Sequence, residues 1–120
     1  MSDNSQRAVL GENLAAAYLA GRGYLILDRR WRMPGGEIDL VVQAGGFLVF
    51  VEVKTRGPGS PVPPEHWVLP RQCRLLRRAA RAWLAARGGT GGRDCRFDVI
   101  GVRLDADGDG CHLRHLPAAF

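Results

Sequence analysis

The sequence predicts an α/β (α+β) fold with the element order αβββαββ, in which the strands form one mixed sheet. Two segments carry apolar residues at helical spacing, and five others are rich in strand-forming residues. Neither a repeat nor a linker interrupts the 120 residues, a length that suits one compact domain covering residues 1–120. A core of this size needs no structural metal or disulfide for stability.

The predicted elements are separated by glycine, proline and other turn residues. A Gly-Arg-Gly stretch ends the first helix, and Pro70 and Gly88 bracket the second one. In chain order, the sequence predicts helix 6–21, strands 24–31, 37–43 and 46–54, an irregular proline-rich loop 57–67, helix 70–87, strand 95–104, turn 105–110 and strand 111–116.

The composition is basic and dominated by arginine. Basic residues outnumber acidic ones by 17 to 12, which gives a net charge of +5. Lys54 is the only lysine, so arginine carries almost all of the positive charge. Because arginine can bind a phosphate through two parallel hydrogen bonds, the bias favours a nucleic-acid partner. A GC-rich genome would also favour arginine over lysine without any such function.

The composition disfavours several other classes of protein. No apolar run approaches the ~20 residues that span a membrane, and the polar start MSDNSQRAVLGEN does not resemble a signal peptide. We therefore expect a cytoplasmic location and no membrane partner. Cys73, Cys95 and Cys111 are dispersed and form no C-x-x-C pair, which argues against a disulfide framework or a zinc site.

The predicted hairpin 37–54 contains charged residues within otherwise apolar strands. A two-residue turn at positions 44 and 45 would place Glu37 opposite Glu52, with Asp39 diagonal to Glu52 at roughly 7–8 Å between backbones. Because side chains alternate along a strand, Lys54 would share that face. The opposite face would be apolar, formed by Ile38, Leu40, Val42, Val49, Val51 and Val53.

Carboxylates crowded on one sheet face repel each other, and poor solvation raises the pKa of one of them. A divalent cation such as Mg²⁺ or Mn²⁺ would relieve both effects, since it prefers carboxylate oxygens. The alternative is a solvated hairpin end, where Glu52 and Lys54 form a surface pair that contributes less than ~1 kcal/mol.

Glu12 supplies a second, independent indication of a buried acidic site. Its helical neighbours, Ala8, Val9, Ala15 and Ala16, are all apolar, so the carboxylate is expected to point inward. A buried carboxylate needs a cation, a hydrogen-bond donor or a metal as a partner. The alternative is an exposed glutamate among small alanines.

The motifs GEIDLVV and VFVEVKTR resemble the D-x(n)-E-x-K signature of restriction-endonuclease-like nucleases, with Ile38 in place of the usual proline. The chain as a whole is similar to the YraN-type family of small bacterial predicted endonucleases. The segments that carry this similarity are LGENLAAAYLAGRGYLIL, GEID, VFVEVKTR, RQCRLLRRAARAWL, CRFDVIGV and the terminal PAAF.

The resemblance implies a restriction-endonuclease-like core of order αβββαβ with an extra C-terminal strand. It also implies that Asp39 and Glu52 hold Mg²⁺ or Mn²⁺, that Lys54 is the catalytic lysine, and that Glu12 completes the metal site as in resolvase-like relatives. Glu37 would be an accessory residue, as would Gln72, where the family usually has Lys-Gln and this chain has Arg-Gln.

The expected activity is metal-dependent hydrolysis of phosphodiester bonds in DNA, including structured or branched DNA. Basic side chains on the second helix and at the end of the first strand would bind flanking phosphates. These are Arg74, Arg77, Arg78, Arg81, Arg30 and Arg32. Symmetric cutting of two strands would suit a homodimer, although the sequence carries no dimer signal. The alternatives are a non-catalytic nucleic-acid-binding protein with the same fold, and a structural protein whose acids pair with arginines.

Overall fold

A computed structural model of the chain describes residues 3–59, 68–105 and 110–120. The elements, in chain order, are α1 (Asp3–Gly21), β1 (Leu25–Met33), β2 (Gly36–Ala44), β3 (Phe47–Arg56), α2 (Pro70–Arg87), β4 (Asp94–Leu104) and β5 (Cys111–Leu116). The predicted order αβββαββ is therefore confirmed. Most of the predicted loop 57–67 and turn 105–110 lies outside the described residues.

The five strands form one mixed sheet in the order β1-β2-β3-β4-β5. Neighbouring strands run antiparallel, except for β3 and β4, which pair in parallel over their whole common length. The connection between these two parallel strands contains α2, as a parallel pair requires. Among the described residues, no helix is long and apolar enough to cross a bilayer.

The two helices cover opposite faces of the sheet, so the core consists of two separate layers. Under α1, the buried cluster comprises Ala15, Ala16, Leu19, Leu40, Val42, Val49, Val51, Val53, Ile100 and Val102. Under α2, it comprises Ile38, Val41, Leu48, Phe50, Leu76, Ala79, Ala80 and Trp83. Both faces of the β2–β3 hairpin are therefore covered near its turn.

The hairpin register differs from the predicted one. Gly45 and Gly46 form the turn, and Ala44 pairs with Phe47. Gly45 has a φ of 57°, in the left-handed region that glycine adopts without a steric cost. Each strand is thereby shifted by one residue relative to the expectation, so the predicted pairing of Glu37 with Glu52 is wrong. Continuing the observed register by one step places Asp39 opposite Glu52.

Helix α2 begins and ends where the sequence predicts. Pro70 occupies the first turn, and the side-chain oxygen of Gln72 accepts a hydrogen bond from the Leu69 amide at 2.8 Å. Gly88 ends the helix with a φ of 80°. At its C-terminal end, the Trp83 indole donates to the Asp28 carboxylate at 3.1 Å, which ties α2 to β1.

Asp98 anchors the far side of the sheet through a fully buried carboxylate. Arg96 donates to both of its oxygens at 2.8 and 2.9 Å, His115 lies at 2.7 Å, and the Ala118 amide donates at 3.0 Å. Burial alone would raise the pKa of Asp98, but the hydrogen bonds from His115, Arg96 and Ala118 lower it overall. These contacts join β4, β5 and the C-terminal segment.

Asp98→Asn should lower the free energy of unfolding by about 3 kcal/mol, since it leaves the partly buried Arg96 charge without its buried anionic partner. Urea denaturation at pH 7 measures this loss. The matched control is Asp94→Asn on the same strand, where the side chain is exposed and the change should fall within about 0.5 kcal/mol. Equal stabilities of the two variants would contradict a structural role for the Asp98 carboxylate.

Candidate active site

The candidate site lies where β2 and β3 separate. Their pairing runs from the turn to Leu40 and Val51 and then stops, although both strands continue. Beyond this point, β2 remains paired only with β1, and β3 only with β4. The sheet therefore opens into a wedge, with Asp39 and Glu52 at its narrow end.

Asp39 holds this wedge together through its side chain. Its Oδ2 atom accepts a hydrogen bond from the Val53 amide at 2.8 Å. That amide belongs to the first part of β3 that has no partner on β2. The carboxylate thus takes the place of the β2 backbone carbonyl that would accept this hydrogen bond if the two strands stayed paired, and it satisfies a buried donor. The Asp39 residue is only 7% exposed.

An irregularity in β1 and β2 accompanies the separation. Ile38 packs under α2 and Leu40 packs under α1, whereas a regular strand would direct both to one face. The prediction that Ile38 shares the face of Leu40 is therefore wrong. Opposite this break, between two paired positions of β1, Arg30 has a φ of 51°, which is a strained conformation for a residue other than glycine.

The pKa of Asp39 is raised well above its ordinary value, mainly because burial disfavours the ionised form. The neighbouring charges of Glu52, Glu12 and Glu37 raise this pKa further, and the hydrogen bond from the Val53 amide opposes them. An ionised Asp39 at neutral pH is therefore costly unless a cation approaches it.

Glu52 shares the buried environment but has a basic partner. The Lys54 ammonium lies 3.2 Å from the Glu52 carboxylate, and both side chains are 17% exposed. The pKa of Glu52 is raised, first by burial and then by the charges of Glu37 and Glu12, while Lys54 lowers it. Positions two apart on β3 hold the two side chains on one face, as the sequence predicts.

A cleft of about 440 Å³ occupies the wedge on the side of α2. Glu37, Glu52 and Lys54 line its floor and edge, and Arg32 lies at its rim. Gln72 of α2 also lines this cleft. Its side-chain oxygen accepts the hydrogen bond from the Leu69 amide at the start of the helix. The accessory position predicted for Gln72 is thus adjacent to the carboxylates.

Glu12 approaches the site from the side of α1. Its side chain is 15% exposed and pairs with the Nε atom of Arg30. The inward direction predicted from helical spacing is confirmed, and a cation is the partner. A close contact between α1 and β3 makes this possible: a Cβ atom on Gly11 would lie 1.8 Å from the Thr55 hydroxyl oxygen.

Glu37 occupies the outer edge of the site. It stands directly across from Arg32 in the β1–β2 register, and the two side chains form an ion pair at 3.3 Å. Both side chains are more than half exposed, so this pair contributes less than ~1 kcal/mol to stability. Glu37 influences the inner carboxylates through its charge and is not part of the buried cluster.

The predicted phosphate-binding arginines divide into two groups. Those on α2 are exposed, namely Arg74, Arg77, Arg78 and Arg81. Arg77 lies over the rings of Phe97 and Phe120 at 5.0 and 5.5 Å from their centroids. Those on β1 are paired with acids, Arg30 with Glu12 and Arg32 with Glu37.

The acidic residues do not form a ready-made three-ligand metal cluster. Within residues 3–59, 68–105 and 110–120, no three histidine, cysteine, aspartate or glutamate side chains converge closely enough to hold one ion. Asp39 and Glu52 nevertheless suit a Mg²⁺ ion, which keeps several waters and takes one or two carboxylates. Burial, and then the neighbouring acids, raise the pKa of both carboxyls, so a bound cation would favour their ionised forms.

The fold and the site together define a small helix–sheet–helix protein with a carboxylate-lined wedge in a divided sheet. The model of the Uncharacterised protein family UPF0102 matches residues 11–102, and the chain belongs to this family. UPF0102 is the YraN family, so the resemblance stated from the motifs is confirmed.

Relatives in this family match over most of their length. A UPF0102 protein of Moorella thermoacetica is 47% identical over 100 residues, which is 83% of this chain and 82% of that protein. A UPF0102 protein of Anaeromyxobacter dehalogenans is 47% identical over 111 residues, 92% of this chain and 80% of that protein. One from Pelobacter propionicus is 42% identical, covering 98% and 84% respectively.

Sequence reasoning did not assign two residues that build the site. The sequence predicts that Arg30 binds phosphate, but in the structure it forms an ion pair with Glu12. Its positive φ has no local sequence signal. Gly11 permits the approach of α1 to Thr55. A glycine in mid-helix was the available signal, since glycine there is unfavourable without a packing reason.

Gly11→Ala should destabilise the protein by about 1–3 kcal/mol, because the added methyl group forces α1 away from Thr55. Intrinsic helix propensity alone predicts the opposite sign. The control is Gly21→Ala at the end of the same helix, where nothing lies within 4 Å of the added atom. Urea denaturation separates the two effects; a Gly11→Ala protein as stable as Gly21→Ala would contradict the close packing.

Asp39→Asn should change how stability depends on pH in metal-free buffer. A raised folded-state pKa means that the native carboxyl binds its proton more tightly than the unfolded chain does. The Asp39 carboxyl therefore contributes its full stabilisation below about pH 4, the pKa of an aspartate in the unfolded chain. This contribution is lost as the pH rises through the pKa of Asp39 in the folded protein. The stability of the wild type should thus fall relative to Asp39→Asn as pH rises from about 4.

The measurement is urea denaturation of both proteins in EDTA between pH 4 and 8. Taking the difference cancels the opposite dependence of Asp98, whose lowered pKa makes stability decrease at low pH. The slope of the difference can reach about 1.4 kcal/mol per pH unit. A difference that stays constant over this range would show that the Asp39 pKa is not raised.

Proposed function

We propose that this protein is a metal-dependent nuclease that hydrolyses phosphodiester bonds in DNA. The observation that carries the proposal is the divided sheet, which buries Asp39 and Glu52 side by side with Lys54 on the same strand. Two neighbouring carboxylates with raised pKa values, of which Glu52 lines an open cleft and Asp39 is buried beside it, have the character of a functional site. The resemblance of the motifs to nucleases supports the same assignment.

Asp39 and Glu52 would hold Mg²⁺ or Mn²⁺, and Glu12 would add to the negative field from α1. The ion, when bound, would supply Lewis-acid activation of water and neutralise charge on the phosphate. Asp39 keeps one oxygen, Oδ2, committed to the Val53 amide, so Oδ1 is the atom oriented for a ligand. This hydrogen bond fixes the carboxylate in advance.

Lys54 would act on the attacking water or on the phosphate. Its ammonium is held by Glu52 at 3.2 Å in a largely buried position, so little conformational freedom is lost when substrate arrives. It can position the water, accept a proton from it when neutral, or donate hydrogen bonds to a phosphate oxygen. The exposed arginines of α2 would bind flanking phosphates on the cleft side.

The alternative is a nucleic-acid-binding protein without catalysis. It is favoured by the ion pair between Glu12 and Arg30, which occupies the third acid, and by the lack of a three-ligand cluster in the described part of the chain. In this case the basic helix face would bind the backbone, and the carboxylates would serve only to shape the wedge.

The test measures Mn²⁺-dependent and Mg²⁺-dependent cleavage of duplex, single-stranded and branched DNA. Asp39→Asn and Glu52→Gln should lower the cleavage rate by at least about 100-fold, the size typical when a group stabilising transition-state charge is lost. Lys54→Met should lower the rate similarly while DNA binding persists. Asp94→Asn, with an exposed side chain outside the cleft, should cleave as the wild type does.

Thermal denaturation provides the second readout. Mn²⁺ should raise the melting temperature of the wild type and leave that of Asp39→Asn unchanged, since only the ionised carboxylate binds the ion. Salt-sensitive DNA binding without cleavage of any substrate would reject the nuclease and support the binding protein. Cleavage that survives both Asp39→Asn and Glu52→Gln would place the activity elsewhere or in a contaminant.

A further inference from the structure

A second cavity lies on the α1 side of β3, across Lys54 from the carboxylate cleft. Its volume is about 360 Å³, and its wall is formed by the end of β3 and the first turns of α1. The lining side chains that carry charge are Arg7, Glu12, Lys54 and Arg56. Lys54 is the residue that lines both this cavity and the cleft of the candidate active site.

The charge of this cavity suits an anion. Arg7 and Arg56 contribute positive charges, Glu12 contributes a negative one, and the Lys54 ammonium is shared with the Glu52 carboxylate at 3.2 Å. The Glu12 carboxylate is already paired with Arg30, which approaches from β1, so it does not cancel the charge of Arg7. The Thr55 hydroxyl and the backbone at Gly57 add groups that can hydrogen-bond a phosphate oxygen.

The arginines are held close to the backbone at the rim of the cavity. The Arg56 Nη1 atom donates to the Thr55 carbonyl oxygen at 3.0 Å. The Arg7 guanidinium lies against Gly57, where the nearest of its atoms would be 3.2 Å from an added Cβ. Because Gly57 has no side chain, the Arg7 guanidinium can lie against the backbone there, and Arg7 also lines the cavity.

We infer that this cavity is a second phosphate-binding subsite, which takes the nucleic-acid phosphate next to the one in the cleft. The inference rests on the proposed function for its ligand class, a nucleic-acid backbone. A strand that passes over Lys54 would present consecutive phosphates to the two cavities. Arg7 and Arg56 would then fix the register of the strand relative to Asp39 and Glu52.

The first experiment compares Arg7→Gln with Arg22→Gln, which removes the same charge from the far end of the α1 segment. Affinity for a fluorescent DNA duplex and for a single strand is measured in EDTA at several NaCl concentrations. Arg7→Gln should weaken binding about 3- to 10-fold at 0.1 M salt and reduce the slope of log K against log salt by nearly one. Arg22→Gln should change neither.

The second experiment tests the subsite without DNA. Inorganic phosphate is titrated into the wild-type protein, and backbone amide NMR signals are followed. The Thr55 and Gly57 amides should shift in the wild type and in Asp39→Asn, but not in Arg7→Gln. Arg7→Lys should restore part of the response, since it keeps the charge and loses the planar, two-point geometry.

The outcomes separate this inference from the proposed nuclease. Phosphate shifts at Thr55 and Gly57 without any DNA cleavage would support the subsite and reject the nuclease. Cleavage that depends on Asp39, together with equal behaviour of Arg7→Gln and Arg22→Gln, would support the nuclease and overturn the subsite. Phosphate shifts that persist in Arg7→Gln, or spread evenly over basic surfaces, would also overturn it.

Discussion

The hydrogen bond from the Val53 amide to Asp39 is the interaction on which the site depends. Two paired strands that separate must leave amides and carbonyls without partners, and buried ones are costly. Here a carboxylate supplies the missing acceptor, so the sheet can open without losing that bond. The cleft lies beside this opening, and the hairpin register places Glu52 opposite Asp39 at its start. Replacing Asp39 by an apolar residue would leave the buried Val53 amide without this acceptor and so destabilise the wedge.

Charge balance explains the residues around this bond. The charges of Glu52 and Glu12 raise the pKa of Asp39, and two of these three acids form ion pairs. Lys54 stands beside Glu52, and Arg30 reaches Glu12 through its left-handed backbone. Among the described residues, Asp39 has a backbone amide as its hydrogen-bond partner and forms no ion pair. The buried acids therefore differ from the basic surface around them.

The sequence was sufficient for the element order, the helix bounds at 70–87 and the side on which Glu52 and Lys54 meet. It failed at the turn, because Ala-Gly-Gly allows two registers and glycine geometry selects Gly45-Gly46. It also failed at Ile38, since alternation cannot foresee a break that depends on Arg30 in the adjacent strand. The Asp98 cluster is not predictable from local patterns, because His115 reaches Asp98 and Arg96 through the pairing of β4 with β5.

The parallel pairing of β3 with β4 has a consequence for the order of folding. The β2–β3 hairpin is local, so its residues meet early, whereas Phe47 must find Asp94 across the whole of α2 and its connections. The carboxylates of the hairpin come together before α2 closes over them. We expect the packing of α2 and the pairing of β3 with β4 to be the slow step of folding. Before that step, the carboxylates of the hairpin would be exposed to water, where they ionise easily.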